Sequence, residues 1–254
     1  MSALTQQAAR TVDAIACSDS SLAGAPGEGA HLPELVRRYL ARTLPSGEQV
    51  PAAVRVQQSG NMWQRPGGRA TSFRATEDFA VDRVAFAWRA RFPIVGPLAL
   101  TVVDELVDGI GRLRLSLLGI PLRTSTGPET NVGEAMRYLS ELPWAPHAIS
   151  ANRDLFWRAV NARTVEVSMS LGGSTAAVAL SFDDAGDIVR ATGTRPFQVG
   201  RAFVPTPWGG DFSNYESFNG IRIPTYGEAW WELSEGRFVY WAGHITALQL
   251  VKAV

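Results

Sequence analysis

From Pro51 onward apolar residues recur at every second position over most of the chain, and that period admits only β-strands with one wet face. In 83–92, Val84, Phe86, Trp88, Ala90 and Phe92 alternate with Arg83, Ala85, Ala87, Arg89 and Arg91. Leu113, Leu115 and Leu117 stand against Arg112, Arg114 and Ser116, and Val165, Val167, Met169 and Leu171 against Thr164, Glu166, Ser168 and Ser170. Strands that are wet on one side belong to antiparallel sheets. Turn signals at Pro66-Gly67-Gly68, Asp108-Gly109, Gly172-Gly173, Asp184-Ala185-Gly186 and Glu235-Gly236 separate these runs at hairpin intervals. The pattern predicts roughly ten strands.

Two helices interrupt it. Leu32, Leu35, Val36, Tyr39 and Leu40 repeat at helical spacing behind Pro33, which predicts a helix at 33–43. A second is predicted at 131–142, with Asn131 as N-cap, Glu134 three residues later as a capping-box acid and Pro143 as the stop. A long meander must bury its dry face, so the expected fold is mainly β: a strongly curved antiparallel sheet or open barrel wrapped over two or three helices, with an apolar cavity between them. Residues 32–254 are expected to form this as a single domain. A short helix at 4–16 and a Ser/Gly/Ala/Pro-rich connection at 18–30 precede it, so 1–31 is expected to be a short N-terminal helix with a flexible connection.

Composition removes several kinds of chemistry. Net charge is zero, with 24 basic and 24 acidic residues and no basic run, so no nucleic-acid footprint is expected. Lys252 is the only lysine, which leaves no internal Schiff-base or phosphate-loop lysine. Cys17 is the only cysteine, and His31, His147 and His244 form no spaced metal pair, so neither a disulfide framework nor a metal site is expected. The Gly-rich pieces lack the strand-turn-helix setting of a dinucleotide fingerprint, and no cofactor is expected. Gln6, Gln7, Arg10 and Asp13 interrupt every apolar window before Cys17, and no run approaches the length of a membrane span. The expectation is a soluble cytoplasmic protein.

The remaining candidates are carboxylates, arginines and aromatics in apolar company. Asp104 shares the alternation of Leu100, Val102 and Leu106, while Glu105 shares that of Thr101 and Val103, so one of the two acids points inward. An inward carboxylate without a cation has its pKa raised toward the range useful in acid–base work. Glu134 and Arg137 stand at i and i+3 on the second helix, able to pair or to face the sheet together. Pro143 and Pro146 then stiffen a loop that carries Trp144 and His147. In the aromatic-rich last third, Trp230-Trp231 and Tyr240-Trp241 place rings on both faces of neighbouring strands, so a second layer covers the outer face or some rings line a cavity.

Arg38-Tyr39-Leu40, Gly133-Glu134-x-x-Arg137-Tyr138-Leu139, Pro143-Trp144-x-Pro146, Gly220-x-Arg222-x-Pro224, Glu228-x-x-Trp231 and Tyr240-Trp241 occur in one order between about residues 33 and 246. In these motifs the chain resembles a bacterial family of unknown function. The resemblance implies a shape similar to the curved sheets of bacterial lipoprotein carriers, which enclose acyl chains, although no export signal is read here. Two functions are therefore expected. The first is a cofactor-free enzyme using Asp104, Glu134 and Arg137 for acid–base work such as isomerisation, cyclisation, elimination or hydrolysis on an apolar small molecule. Trp144, His147, Trp208, Tyr215, Arg222, Glu228 and Trp231 would line its pocket. The second is a non-catalytic carrier or sensor of a hydrophobic or lipid ligand.

Overall fold

The computed structural model describes residues 32–252 except Glu48; the helix expected at 4–16 and the connection at 18–30 lie outside them. Helix α1 (Glu34–Thr43) is followed by six strands: β1 (Ala53–Met62), β2 (Thr71–Ala80), β3 (Phe86–Val95), β4 (Leu98–Val107), β5 (Ile110–Leu117) and β6 (Ile120–Ser125). Helix α2 (Pro128–Ser140), a 3-10 turn (Leu142–Trp144) and α3 (Pro146–Ala151) come next. Seven strands complete the chain: β7 (Phe156–Asn161), β8 (Thr164–Leu171), β9 (Ser174–Phe182), β10 (Ile188–Val199), β11 (Ala202–Phe218), β12 (Ile221–Leu233) and β13 (Gly236–Val251).

All thirteen strands form one antiparallel sheet in the order β6-β5-β4-β3-β2-β1-β13-β12-β11-β10-β9-β8-β7. The fold is mainly β, as the alternation requires, and the strand count exceeds the roughly ten read from turn signals. The excess has a local cause: Leu118-Gly119 and Asn219-Gly220 also make two-residue turns with both central residues at positive φ, like Asp108-Gly109. Every link is a hairpin except two: α2 and its following turns join β6 to β7, and pairing of β1 with β13 joins the two meanders.

The concave face wraps the helices. Helix α2 lies across β4, β5, β8, β9 and β10, while α1 and the 3-10 turn rest on β12. Tyr138 on α2 donates its hydroxyl to the Ala80 carbonyl at 3.0 Å and accepts from Asn152 Nδ2 at 3.0 Å. Its ring is fully buried beside Phe79. Burial of such a ring with its polar tip satisfied fixes the helix both laterally and in register.

The second helix corrects the predicted start. It begins at Pro128 behind Gly127, whose φ is 127°, and no side chain caps it. Proline at the first helical position is pre-organised for that place. Asn131 therefore sits inside the helix, and its Oδ1 accepts from the Gly111 amide at 2.8 Å, tying α2 to β5. Glu134 does not occupy a capping-box position; it is buried.

Candidate functional site

Two pairs of neighbouring acids, Glu77-Asp78 on β2 and Asp104-Glu105 on β4, each send one carboxylate to either face of the sheet, as strand geometry demands. The outer members meet arginines on the same face. Asp78 accepts from Arg55 Nε at 2.6 Å and Arg89 Nη1 at 2.8 Å, and Glu105 from Arg112 and Arg114 at 3.1 Å each. The inner members, Glu77 and Asp104, face α2. Asp104 is thus the inward acid of its pair.

Arg137 meets both. Its Nη2 donates to Glu77 at 2.8 Å, its Nη1 to Asp104 at 2.6 Å and its Nε to Glu141 at 3.0 Å, and the guanidinium lies over the rings of Phe86 and Trp88 at 5.1 and 4.9 Å. Gln58 extends the network, donating to Glu77 at 2.7 Å and accepting from the Trp88 indole at 2.7 Å. Glu134 lies beside Asp104 and 3.5 Å from Arg195 on β10. Four carboxyls therefore face two guanidiniums, and four full negative charges in a buried place would be costly.

Burial weighs against the charged form of three of the four carboxyls. Burial, and then the charge of Asp104, push the Glu134 carboxyl well up from the usual carboxylate range. Burial likewise pushes up Glu141 and Glu77, opposed in both by Arg137. Glu134 Oε2 and Asp104 Oδ1 find no other hydrogen-bond partner among the described residues, and a proton kept on Glu134 lets that pair share a hydrogen bond. The charge of the neighbouring Glu77 pushes Glu141 up further. Asp104, Glu134 and Arg137 are thus brought together in one buried cluster.

The residues expected to line one pocket are placed in several. Trp144 is buried in the 3-10 turn, donates to the Pro224 carbonyl at 3.1 Å and packs on Phe212 and Trp241 at 5.5 and 5.8 Å. It sits against Gly227 of β12, which stands in register with Gly243 and Gly60; the ring that faces Gly243 is that of Trp241. A Cβ on Gly227 would stand 2.9 Å from the Trp144 ring, so only glycine admits the indole. His147 is buried on α3. Trp208 and Trp231 share the concave face with Phe197 and Tyr240, and Arg195 covers Trp208 at 4.8 Å. Arg222 clasps both oxygens of Asp187, at 2.5 and 2.7 Å, and covers Tyr215 at 4.5 Å beside α1. Glu228 stands apart, on the outer face: it accepts from Tyr226 at 2.5 Å, and that bond pushes the phenol up to about 12.

A cleft of about 740 Å³ opens elsewhere, where the β8–β9 hairpin approaches the β4–β5 turn and the start of α2. Val84, Val132, Phe156, Met169 and Leu171 give it apolar walls, and Arg83, Asp108, Asn131, Arg153 and Asp154 give it polar ones. Val84 and Met169 also belong to the buried core, so the cleft reaches the interior. None of the ten residues expected from sequence lines it. The strands that build it stand toward opposite ends of the sheet order, β4 and β5 on one side and β7 to β9 on the other, and only curling of the sheet brings them together. Among the described residues no group of three or more His, Cys, Asp or Glu is placed to hold a metal ion, and no helix is long and apolar enough to cross a membrane.

Two solved structures are similar in outline. A LolA superfamily protein from Nitrosomonas europaea has 10% identity and a TM-score of 0.46, with 85% of this chain and 91% of that chain covered. A DUF1329 family protein from Desulfovibrio piger has 11% identity and a TM-score of 0.48, with 85% and 90% covered. No curated protein matches. Residues 25–243, nearly the whole length over which the sequence motifs occur in order, match DUF6544, and the chain belongs to this family of unknown function.

Proposed function

We propose that the protein is a non-catalytic carrier or sensor of an amphipathic ligand, held by its apolar part in the cleft between α2 and the β8–β9 hairpin. The observation that carries this is the cleft itself, a space of about 740 Å³ with an apolar floor continuous with the core and charged groups at its walls. Its size lies in the usual range for small-molecule sites, roughly 300–1,000 Å³. Each methylene buried there contributes about 0.8 kcal/mol. Arg83, Arg153, Asp108 and Asp154 stand at the walls, where a polar head would come to rest.

The acid–base reading has weaker support. Burial raises Glu134 toward the range of a general acid, but the residue lies outside the cleft lining, packed beside Asp104 and Arg195. The carrier reading is tested by titrating the protein with a fluorescent polyene fatty acid. It predicts saturable binding at one site and loss of that binding in Met169→Trp, which fills the cleft. Unsaturable partition, or binding equal in Met169→Trp and the parent protein, would refute it.

A further inference from the structure

Four long segments hold no acidic residue: 59–76, 83–103, 112–128 and 188–210. They contain the hairpin turns β1–β2, β3–β4, β5–β6 and β10–β11. In an antiparallel sheet of this order those turns all project from one edge. The β8–β9 and β12–β13 turns share that edge; the first, Gly172-Gly173, carries no charge, and the second brings Glu232 and Glu235, the former paired with Arg237 at 3.6 Å. The turns of the opposite edge carry Asp82, Asp108, Asp183, Asp184 and Asp187 against Arg83 and Arg163. A chain with no net charge is therefore polarised, with cations in excess at one edge and acids at the other. Arg65, Arg69, Arg91, Arg123 and Arg201 are exposed on the acid-free hairpins, and none forms an ion pair among the described residues. Arg123 donates to Gln198 at 2.7 Å, which ties β5–β6 to β10–β11.

The same edge exposes apolar side chains. Val95 and Leu118, at 75% and 74%, are the most exposed large apolar side chains among the described residues, and Ile120, Leu122, Val199 and Val204 stand near them. Leu118 has φ of +50° in a two-residue turn whose counterparts use Asp108 and Asn219. Leucine is poorly suited to that backbone and gains nothing from solvent there, so folding does not account for it. Exposed apolar tips ringed by unpaired arginines mark an interaction surface.

We propose that this edge docks on an anionic lipid bilayer, with the apolar tips entering the headgroup layer and the arginines meeting lipid phosphates. Charge complementarity selects this occupant. A second copy joined through the same edge would set arginine against arginine, whereas an anionic leaflet attracts each of them. Docking of this kind does not depend on what the cleft holds.

Co-sedimentation of the full chain with vesicles tests the proposal, using phosphatidylcholine alone or mixed with phosphatidylglycerol. Binding is expected only to the anionic vesicles and weakens as salt is raised. Arg201→Ala should weaken it about fivefold, and Leu118→Asp about tenfold or more. Ile110→Asp, an exposed apolar position on the opposite edge, should leave it unchanged. Leu118→Asn separates docking from folding: the melting temperature rises because the left-handed backbone now suits its residue, while vesicle binding falls. Absence of binding to anionic vesicles, equal binding to both kinds, or a concentration-dependent dimer that Leu118→Asp dissolves would each overturn the proposal, the last in favour of a second copy.

Discussion

The helices rest on two surfaces of one sheet that are built on different physics. Under α2, strands β2–β4 present Glu77, Trp88 and Asp104, and contact is made by directional bonds to one guanidinium. Under the 3-10 turn, β12 presents Gly227 to the Trp144 indole and, in register with it, β13 presents Gly243 to the Trp241 ring, so contact is made by the fit of indoles against bare backbone. The first surface tolerates small displacements but not the loss of a charge. The second tolerates neither a methyl group nor a shift, and has no charge to lose. Each orients a different part of the same helical layer, so the two can be broken separately.

Removing the guanidinium should have the largest effect. Arg137→Leu leaves Glu77, Asp104 and Glu141 buried without their cation and should cost about 3–5 kcal/mol, read as a fall in the urea midpoint with the m-value unchanged. Gly227→Ala comes next. Its Cβ has nowhere to go except into the Trp144 ring, and overpacking of this kind costs about 1–3 kcal/mol. The two losses should add, because the sites share no partner. Tyr138→Phe strips the bonds to Ala80 and Asn152 and should cost about 1–2 kcal/mol by the same measurement.

The smallest effect is the most diagnostic, because its sign depends on pH. Glu77, Glu134 and Glu141 are all raised by burial, so the folded state holds protons that the unfolded chain releases near the ordinary carboxylate range of about 4.3. Stability from these groups is complete below that value and declines as pH rises through their folded values. Glu134→Gln keeps the neutral shape and cannot ionise. Stability measured across pH should therefore fall less steeply for the variant than for the parent, so that the variant gains on the parent toward alkaline pH. A parent whose stability rises over the same range would show that the cluster holds no spare protons.

Part of this was legible in the sequence. Period-2 alternation implies the sheet, and it also narrows the inward acid of β4 to Asp104 or Glu105. Glu77 carries the same signal, standing in line with Phe73, Ala75 and Phe79, but Asp78 beside it makes the pair look like a polar patch. Glu134 reads as a capping acid because Asn131 resembles an N-cap more strongly than Gly127-Pro128 resembles a helix start. The row of glycines was not legible at all, since each is an ordinary strand glycine until pairing of β1, β13 and β12 aligns them. The cleft was hidden for a related reason. Val84, Val132 and Met169 meet only through curvature accumulated over thirteen strands, and no local period encodes that.

The central claim is that the acid cluster is structural and the cleft holds the ligand. Native mass spectrometry of protein from the native host, comparing the parent, Glu134→Gln and Met169→Trp, tests it directly. The account predicts a co-purifying amphiphile on the parent and on Glu134→Gln, and none on Met169→Trp. An amphiphile lost from Glu134→Gln but kept by Met169→Trp would move the site from the cleft to the acids and contradict the account.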